Sequence, residues 1–273
     1  MKVKFIKTSP TQNMTVLVES PLGREHYPMV ASRLMSYDHV FAEQVGFIES
    51  ADNSSAWARL QMMAGEFCGN AAMALGAVMA WRRRLKPGDW LEVPLEVSGA
   101  SELLVCGIEA RRSGYSCRLD MPLPLAMDRE TLLLEGEPTP VTIMRYPGIA
   151  HVIVDVSEFD GPARNKAKSA AKLASLLQGE AALGVMLYRR RTGELEPLVY
   201  VPGTGTLIWE RGCGSGAAAV GAYAAIEAGD DIDLEIKQPG GVVRVQTRSS
   251  GGELAGLTIQ GDVYISAEGT AFI

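Results

Sequence analysis

Cysteine is scarce in this chain of 273 residues: Cys68, Cys106, Cys117 and Cys213 are the only four. No two form a CxxC pair, and none has a histidine at ligand spacing. Neither a disulfide framework nor a zinc site is expected, and no cofactor motif is evident. Cys106 and Cys117 read as core or strand cysteines. Histidine is scarcer still, and the isolated His39 and His151 read as structural, with a place near the cleft as the alternative for His151. Long apolar runs are missing too. The longest weakly polar stretch, Ala71 to Trp81, is too short to cross a bilayer. The opening Met1-Lys2-Val3-Lys4-Phe5 alternates like a strand and has no apolar signal region, so the expectation is a cytoplasmic protein with reduced thiols. A basic surplus is absent. Formal net charge is −6 and the pI is near 5.3, which argues against nucleic acid as a partner. Arg82-Arg83-Arg84 and Arg189-Arg190-Arg191 are local basic runs beside element ends and read as solvated faces. A hydrophobic content of 47% with 21% charged residues is globular, and a chain of this length can bury a large core without staples.

The chain does contain a stretch that occurs twice. Cys68-Gly69-Asn70-Ala71-Ala72-Met73-Ala74-Leu75-Gly76-Ala77 lies without gaps over Cys213-Gly214-Ser215-Gly216-Ala217-Ala218-Ala219-Val220-Gly221-Ala222. The copies share the Cys-Gly opening, two alanines and the closing Gly-Ala. Each reads as a loop entering a buried helix with the thiol at its mouth. The first turn of a helix leaves backbone N–H groups unpaired and favours negative charge. Gly69 and Gly214 would let a ligand approach the backbone, and Asn70 and Ser215 are good N-cap types. A substrate carboxylate would fit there, and the same field is expected to lower the pKa of Cys68 and Cys213. Two such mouths brought together would make one site with two thiols. For either copy alone, a buried structural cysteine before a close-packed Gly/Ala helix is the competing reading. The repetition favours function, because packing alone does not require the same Cys-Gly-polar entry twice.

Periodicity predicts strands at Lys2–Ile6 and Thr15–Glu19 with a polar turn over Thr8–Asn13, and a helix at Tyr27–Met35. Strands follow at Gln44–Glu49 and Ala56–Met62. A helix runs from Cys68 to about Leu85, stopped by Pro87-Gly88, and strands follow at Trp90–Val97 and Glu102–Ala110. The second half repeats the plan. Its strands are Gly114–Leu119, Thr142–Tyr146, His151–Val156, Gly184–Tyr188, Leu195–Val201, Leu234–Lys237, Val242–Thr247 and Leu257–Ile265. Its helices are Arg164–Leu177 and the one behind Cys213. Gly99 follows Cys68 by 31 positions and Gly240 follows Cys213 by 27, so the similarity extends into a hairpin after each helix. The fold class expected is α+β: two pseudo-symmetric lobes, each a curved, mostly antiparallel sheet or barrel around a central helix. The lobes are residues 1–117 and 118–259, with a last strand of about 260–273 returning to the first to cover an open edge.

Glu66-Phe67-Cys68-Gly69-Asn70 and Cys213-Gly214-Ser215-Gly216 resemble the paired signatures of the cofactor-independent amino-acid racemases, the diaminopimelate epimerase and proline racemase superfamily. The resemblance covers nearly the whole chain. Asn13, Gln44, Glu210-Arg211 and Pro239-Gly240-Gly241 fall where the diaminopimelate epimerase pattern has the same residues. Glu43-Gln44-Val45-Gly46-Phe47-Ile48-Glu49-Ser50, Leu207-Ile208-Trp209-Glu210 and Gln238-Pro239-Gly240-Gly241 look like the histidine racemase branch of staphylopine-type metallophore biosynthesis. Three departures stand, one being that Met62-Met63-Ala64 occupies the region of the Asn that helps hold the far end of diaminopimelate. Only Gly212 separates Arg211 from Cys213, where diaminopimelate epimerases have a longer insertion, and Arg211 itself departs from the histidine branch.

The resemblance implies a two-lobed fold, no pyridoxal cofactor, and racemisation of a small-molecule amino acid by thiol and thiolate. Cys68 and Cys213 would trade the Cα proton, and Gly69, Asn70, Gly214 and Ser215 would cradle the carboxylate. Glu43 would accept an imidazole N–H, Gln44 would bind the α-amino or carboxylate group, and Asn13, Glu210 and Arg211 would complete the substrate contacts. Each of these five also has a plain alternative: a solvated carboxylate, a strand polar residue, a turn residue, and a loop-steadying Glu–Arg pair. No membrane partner is expected, and a homodimer is compatible with the resemblance. The alternatives kept open are a diaminopimelate epimerase or broad-specificity racemase, and a catalytically silent relative that holds an anion.

Overall fold

The computed structural model describes residues 1–173, 179–203 and 205–273. The fold is mixed and dominated by sheet, with few helices, and it divides into two compact units, Met1–Asp120 with Gln260–Ile273, and Met121–Ile259.

The first unit contains strands β1 (Lys2–Pro10), β2 (Thr15–Val18), β3 (Gln44–Glu49), β4 (Ala58–Met62), β5 (Trp90–Val97), β6 (Leu104–Ala110) and β7 (Tyr115–Asp120), with helices α1 (Tyr27–Met35) and α2 (Gly69–Arg82). The strands are hydrogen-bonded in that order. The last strand, β16 (Glu253–Phe272), lies beside β7 and pairs antiparallel with β1 from Lys2↔Phe272 to Pro10↔Val263. That pairing closes the ring, so no edge of this sheet stays open. Two pairings are parallel, β2–β3 and β4–β5. They are the ones bridged by α1 and α2, since parallel neighbours need a crossover. Helix α2 is apolar all round, with Met73, Leu75 and Val78 fully buried. It packs against β1, β2, β4, β5, β6 and β7, the cover such a helix requires. A Cβ on Gly76 would sit 2.8 Å from Cys106 Sγ, so glycine is what lets α2 lie this close to β6. Cys106 and Cys117 are both buried on their strands.

The second unit contains β8 (Ala126–Leu134), β9 (Glu137–Tyr146), β10 (Ile149–Asp155), β11 (Ala182–Arg189), β12 (Glu194–Val201), β13 (Thr206–Trp209), β14 (Asp233–Gln238) and β15 (Gly241–Ser250). Its helices are α3 (Gly161–Ala171) and α4 (Gly214–Ala228). The parallel pairings are again those spanned by helices, β10–β11 around α3 and β12–β14 around α4. Asp160 caps α3 through Ala163 N–H at 2.8 Å, and Ala163, Ala167 and Ala170 pack on Val152, Val185 and Leu198. Helix α4 is buried from Gly214 to Tyr223 and stops at Gly229, which is left-handed with φ 67°.

Several elements differ from the sequence expectation. The first strand does not stop at Ile6 but runs to Pro10, and only Thr11 and Gln12, at φ 47° and 57°, make the turn. Helix α2 ends at Arg82 rather than Leu85, because Arg84 turns left-handed at φ 56°. Strand β8 has no counterpart in the periodicity. It is a polar, mostly exposed edge strand of helix-compatible residues that, among the described residues, pairs with β9 alone. Helix α3 starts at Gly161, and the expected continuation to Leu177 lies outside the described residues. Among the described residues, no helix is long and apolar enough to cross a membrane, and no cluster of three His, Cys, Asp or Glu side chains could hold a metal ion.

Candidate active site

Both repeated cysteines are the N-cap residues of the buried helices. Cys68 has extended dihedrals (φ −136°, ψ 107°), and Cys213 nearly the same (φ −125°, ψ 107°). The N-cap position therefore belongs to the thiols, and Asn70 and Ser215 lie two residues further on, inside the first turn. Cys68 Sγ accepts the Ala71 N–H at 3.4 Å, the bond an N-cap side chain makes to the third helical residue.

In the first unit a chain of hydrogen bonds ends on the thiol. Cys68 Sγ donates to Gln44 Oε1 at 2.9 Å. Gln44 Nε2 donates to Asn13 Oδ1 and to Thr15 Oγ1, both at 2.7 Å. Thr15 Oγ1 donates to Asn13 Oδ1 at 3.1 Å. Parallel pairing of β2 with β3 sets Thr15 opposite Gln44, which brings these groups into register. Asn13 and Thr15 are fully buried, and Gln44 and Asn70 nearly so. Glu43 is half-buried at the head of β3, with its N–H on the Met14 carbonyl at 2.8 Å. The loop before Cys68 carries Glu66, whose buried carboxylate accepts the Ala64 N–H at 3.0 Å and whose pKa burial raises.

In the second unit Gln238 clamps the thiol residue. Its Oε1 accepts the Cys213 N–H at 2.6 Å, and its Nε2 donates to the Cys213 carbonyl at 3.3 Å. Cys213 Sγ lies 3.7 Å from Ser215 Oγ. Burial, then the neighbouring Glu210 charge, pushes the Cys213 thiol well above its usual value, against smaller opposing effects of the Gly216 amide and Ser215. This corrects the sequence expectation of a lowered pKa for Cys213: desolvation of a thiolate outweighs the field of the helix start. Arg211 is exposed. Its guanidinium donates to the Pro239 carbonyl at 3.0 Å, and its own carbonyl accepts the Gly240 N–H at 2.6 Å.

Asn13, Gln44 and Cys68 are thus joined in one network, and Glu210, Cys213 and Ser215 in another. Sequence reasoning missed Thr15 and the clamp made by Gln238. The only signal for Gln238 was its place in the Gln-Pro-Gly-Gly string.

A family model described as the histidine racemase CntK N-terminal domain matches residues 2–272. The chain belongs to that family. Two curated histidine racemases agree along their length. The one from Staphylococcus aureus (strain Mu50) is 29% identical over 99% of this chain and 98% of its own. The one from Fusobacterium nucleatum subsp. nucleatum (strain ATCC 23726) is 27% identical over 98% and 97%. Among solved structures, a probable proline racemase from Agrobacterium radiobacter K84 superposes with a TM-score of 0.72 at 12% identity, covering 98% of this chain and 92% of that one. A hydroxyproline epimerase from Agrobacterium vitis gives 0.67 at 13%, covering 99% and 92%. At such identities the likeness concerns the fold, which is that of proline racemase- and epimerase-type isomerases. As a member of the histidine racemase family the chain is an amino-acid racemase, an isomerase.

One substitution in the first unit tests how tightly its thiol loop is packed. Gly99 has φ +76°, and a Cβ there would stand 2.6 Å from the Phe67 backbone nitrogen. Gly99→Ala is expected to cost about 2 kcal/mol in chemical denaturation, from the left-handed backbone and the clash together. It is also expected to lower kcat, because Phe67 carries Cys68.

Proposed function

We propose that this racemase interconverts L- and D-histidine, with Cys68 and Cys213 trading the Cα proton as thiolate and thiol. The observation that supports it best is the repeated N-cap cysteine: among the described residues, the most deeply buried helix of each unit starts on a thiol. Inversion takes a proton from one face of Cα and returns one to the other, so it calls for two such groups whose roles exchange with direction. Amides of Gly69, Asn70, Gly214 and Ser215 hold the carboxylate as charge flows into it. Glu43 and Glu210 are the acceptors for imidazole and ammonium N–H groups. Both N–H groups of the Gln44 amide are spent on Asn13 and Thr15, so in this reading Gln44 and Asn13 orient the Cys68 sulfur, and Arg211 steadies its loop.

The finer architecture belongs to the same proposal: pseudo-symmetric lobes of residues 1–117 with about 260–273, and 118–259, each a curved sheet around its helix as in diaminopimelate epimerase. So do a homodimer, a cytoplasmic location, and a D-histidine product that feeds a nicotianamine-like opine metallophore.

Polarimetry tests the substrate. L-Histidine should lose its rotation completely, while LL-diaminopimelate and L-proline keep theirs. Loss with diaminopimelate alone would move the enzyme to the epimerase branch, and no loss with any substrate would mark a silent anion binder. A pH profile tests the base. Because the Cys213 thiol is raised, its thiolate fraction grows through the alkaline range. For the enantiomer deprotonated by Cys213, kcat/KM should therefore still be climbing at pH 9. A plateau from pH 7 would contradict this.

A further inference from the structure

Each thiol-bearing loop is tied to the hairpin turn that follows its own helix, but by different chemistry. In the first unit, the turn between β5 and β6 supplies Ser98. Its Oγ donates to the Glu66 carbonyl at 2.8 Å and accepts the Met62 N–H at 3.0 Å. Its own N–H goes to the Leu60 carbonyl at 2.9 Å. One hydroxyl thus bridges the end of β4 to the residue two before Cys68, and Gly99 lies against Phe67 between them. In the second unit, the last residue of β14, Gln238, at the entry to the turn into β15, holds both main-chain groups of Cys213 itself. Gly240 N–H and Pro239 O fasten Arg211 in the same way. Both side chains are buried, Ser98 at 6% and Gln238 at 8% exposure, so these bonds do not compete with bulk water.

We propose that Ser98 and Gln238 are positioning residues for the two proton transfers, each fixing one sulfur. The inference rests on the two-thiol reading above. A thiol that must meet a Cα proton in line tolerates little drift, and misplacement by about 1 Å can cost about 10²-fold in rate. Gln238 acts directly on Cys213, whereas Ser98 acts on Cys68 through two intervening residues. Loss of Gln238 should therefore be the more damaging.

The experiment measures kcat, KM and the Cα-deuterium isotope effect for L- and D-histidine separately. The proteins are the full-length parent, Gln238→Met, Ser98→Ala, Ser98→Thr and Cys213→Ser. Methionine keeps the shape of Gln238 and removes its amide. It should lower kcat by about 30- to 100-fold with KM within about threefold. It should raise the isotope effect for one enantiomer only, the one whose proton Cys213 removes. Ser98→Ala should lower kcat by about 10-fold and raise the isotope effect for the opposite enantiomer. Ser98→Thr, which keeps the hydroxyl, should restore the parent values. If Gln238→Met does not fold, Gln238→Asn carries the same comparison with a shorter reach. Parent kcat in both variants, or isotope effects that move equally for both enantiomers, would overturn the positioning roles while Cys213→Ser stays inactive. Parent activity in Cys213→Ser would instead defeat the two-thiol reading itself.

Discussion

Cys68→Ser and Cys213→Ser will each lower kcat for histidine racemisation by about 10²–10⁴-fold, the typical worth of one positioned acid–base group. Neither will lower the melting temperature. The second half of this prediction follows from where the sulfurs sit. An N-cap side chain accepts an N–H from the first helical turn, and serine is among the residues that do this best. Cys68 makes that bond at 3.4 Å, long for an oxygen acceptor and ordinary for sulfur. Serine in its place should cap α2 at least as well, and the Cys213 side chain makes no cap bond to α4, so serine there has none to lose. A protein selected only for helix capping would place Ser, Thr, Asp or Asn there, so cysteine at both N-cap positions accords with the proposed proton transfer rather than with capping. Calorimetry on the two variants checks the first claim against the second. A variant that is both inactive and less stable by several degrees would point to a structural cysteine.

Acid will destabilise the protein through His151 before its carboxylates titrate. His151 is fully buried on β10, and neither ring nitrogen has a hydrogen-bond partner among the described residues. Gly184 leaves room for it, since a Cβ there would lie 2.4 Å from Nδ1, and Tyr146 packs edge-on with ring centroids 6.0 Å apart. Burial lowers the His151 pKa from 6.5 to about 3. The unfolded chain therefore binds a proton that the folded one refuses. The contribution to stability is intact above pH 6.5 and is lost progressively as pH falls from there toward 3. Each pH unit within that window is worth about 1.4 kcal/mol, so from pH 7 to pH 5 the loss is about 2 kcal/mol. Buried Glu66, with its raised pKa, works the other way over the range just above 4.5, so the comparison must be with a variant rather than with an absolute slope. Denaturation of His151→Leu at pH 7 and pH 5 should show that the difference between the two pH values shrinks by about 2 kcal/mol. At pH 7 the variant should match or exceed the parent, because a buried imidazole with unpaired nitrogens gives little in return for its desolvation. An unchanged pH dependence would mean that His151 has access to a proton in the folded state.

The parts of the fold that were readable from sequence are those where local pattern and tertiary role agree. Tyr27–Met35 has Pro28 in its first turn and a buried face of Tyr27, Val30, Ala31 and Leu34, so the helical period is plain. Gln44–Glu49 and Trp90–Val97 begin and end where the pattern places them. Strand β8 defeated the pattern because Met127, Asp128, Arg129 and Glu130 suit a helix, and only pairing to β9 makes them extended. In the candidate site, the two cysteines could be found because the motif repeats. Of their surroundings, Asn13, Gln44 and Glu210 came only through the family resemblance, and Thr15 and the Gln238 clamp did not come at all. The bond from Cys68 to Gln44 spans 24 residues and the clamp from Gln238 to Cys213 spans 25, distances at which local sequence carries no information. The lowered thiol pKa failed for a related reason at Cys213. The helix field can be inferred from a Cys-Gly opening, but the burial that overrides it depends on the packing of α4 against β10, β11 and β15.

The exchange of one proton between two thiols is tested most directly by racemising L-histidine in D₂O and stopping at low conversion. The account predicts that the D-histidine formed carries deuterium at Cα, while the L-histidine that remains is still protiated, because the group that takes the proton is not the group that returns one. Equal deuterium in both enantiomers at that stage would indicate one base serving both faces and would contradict the account.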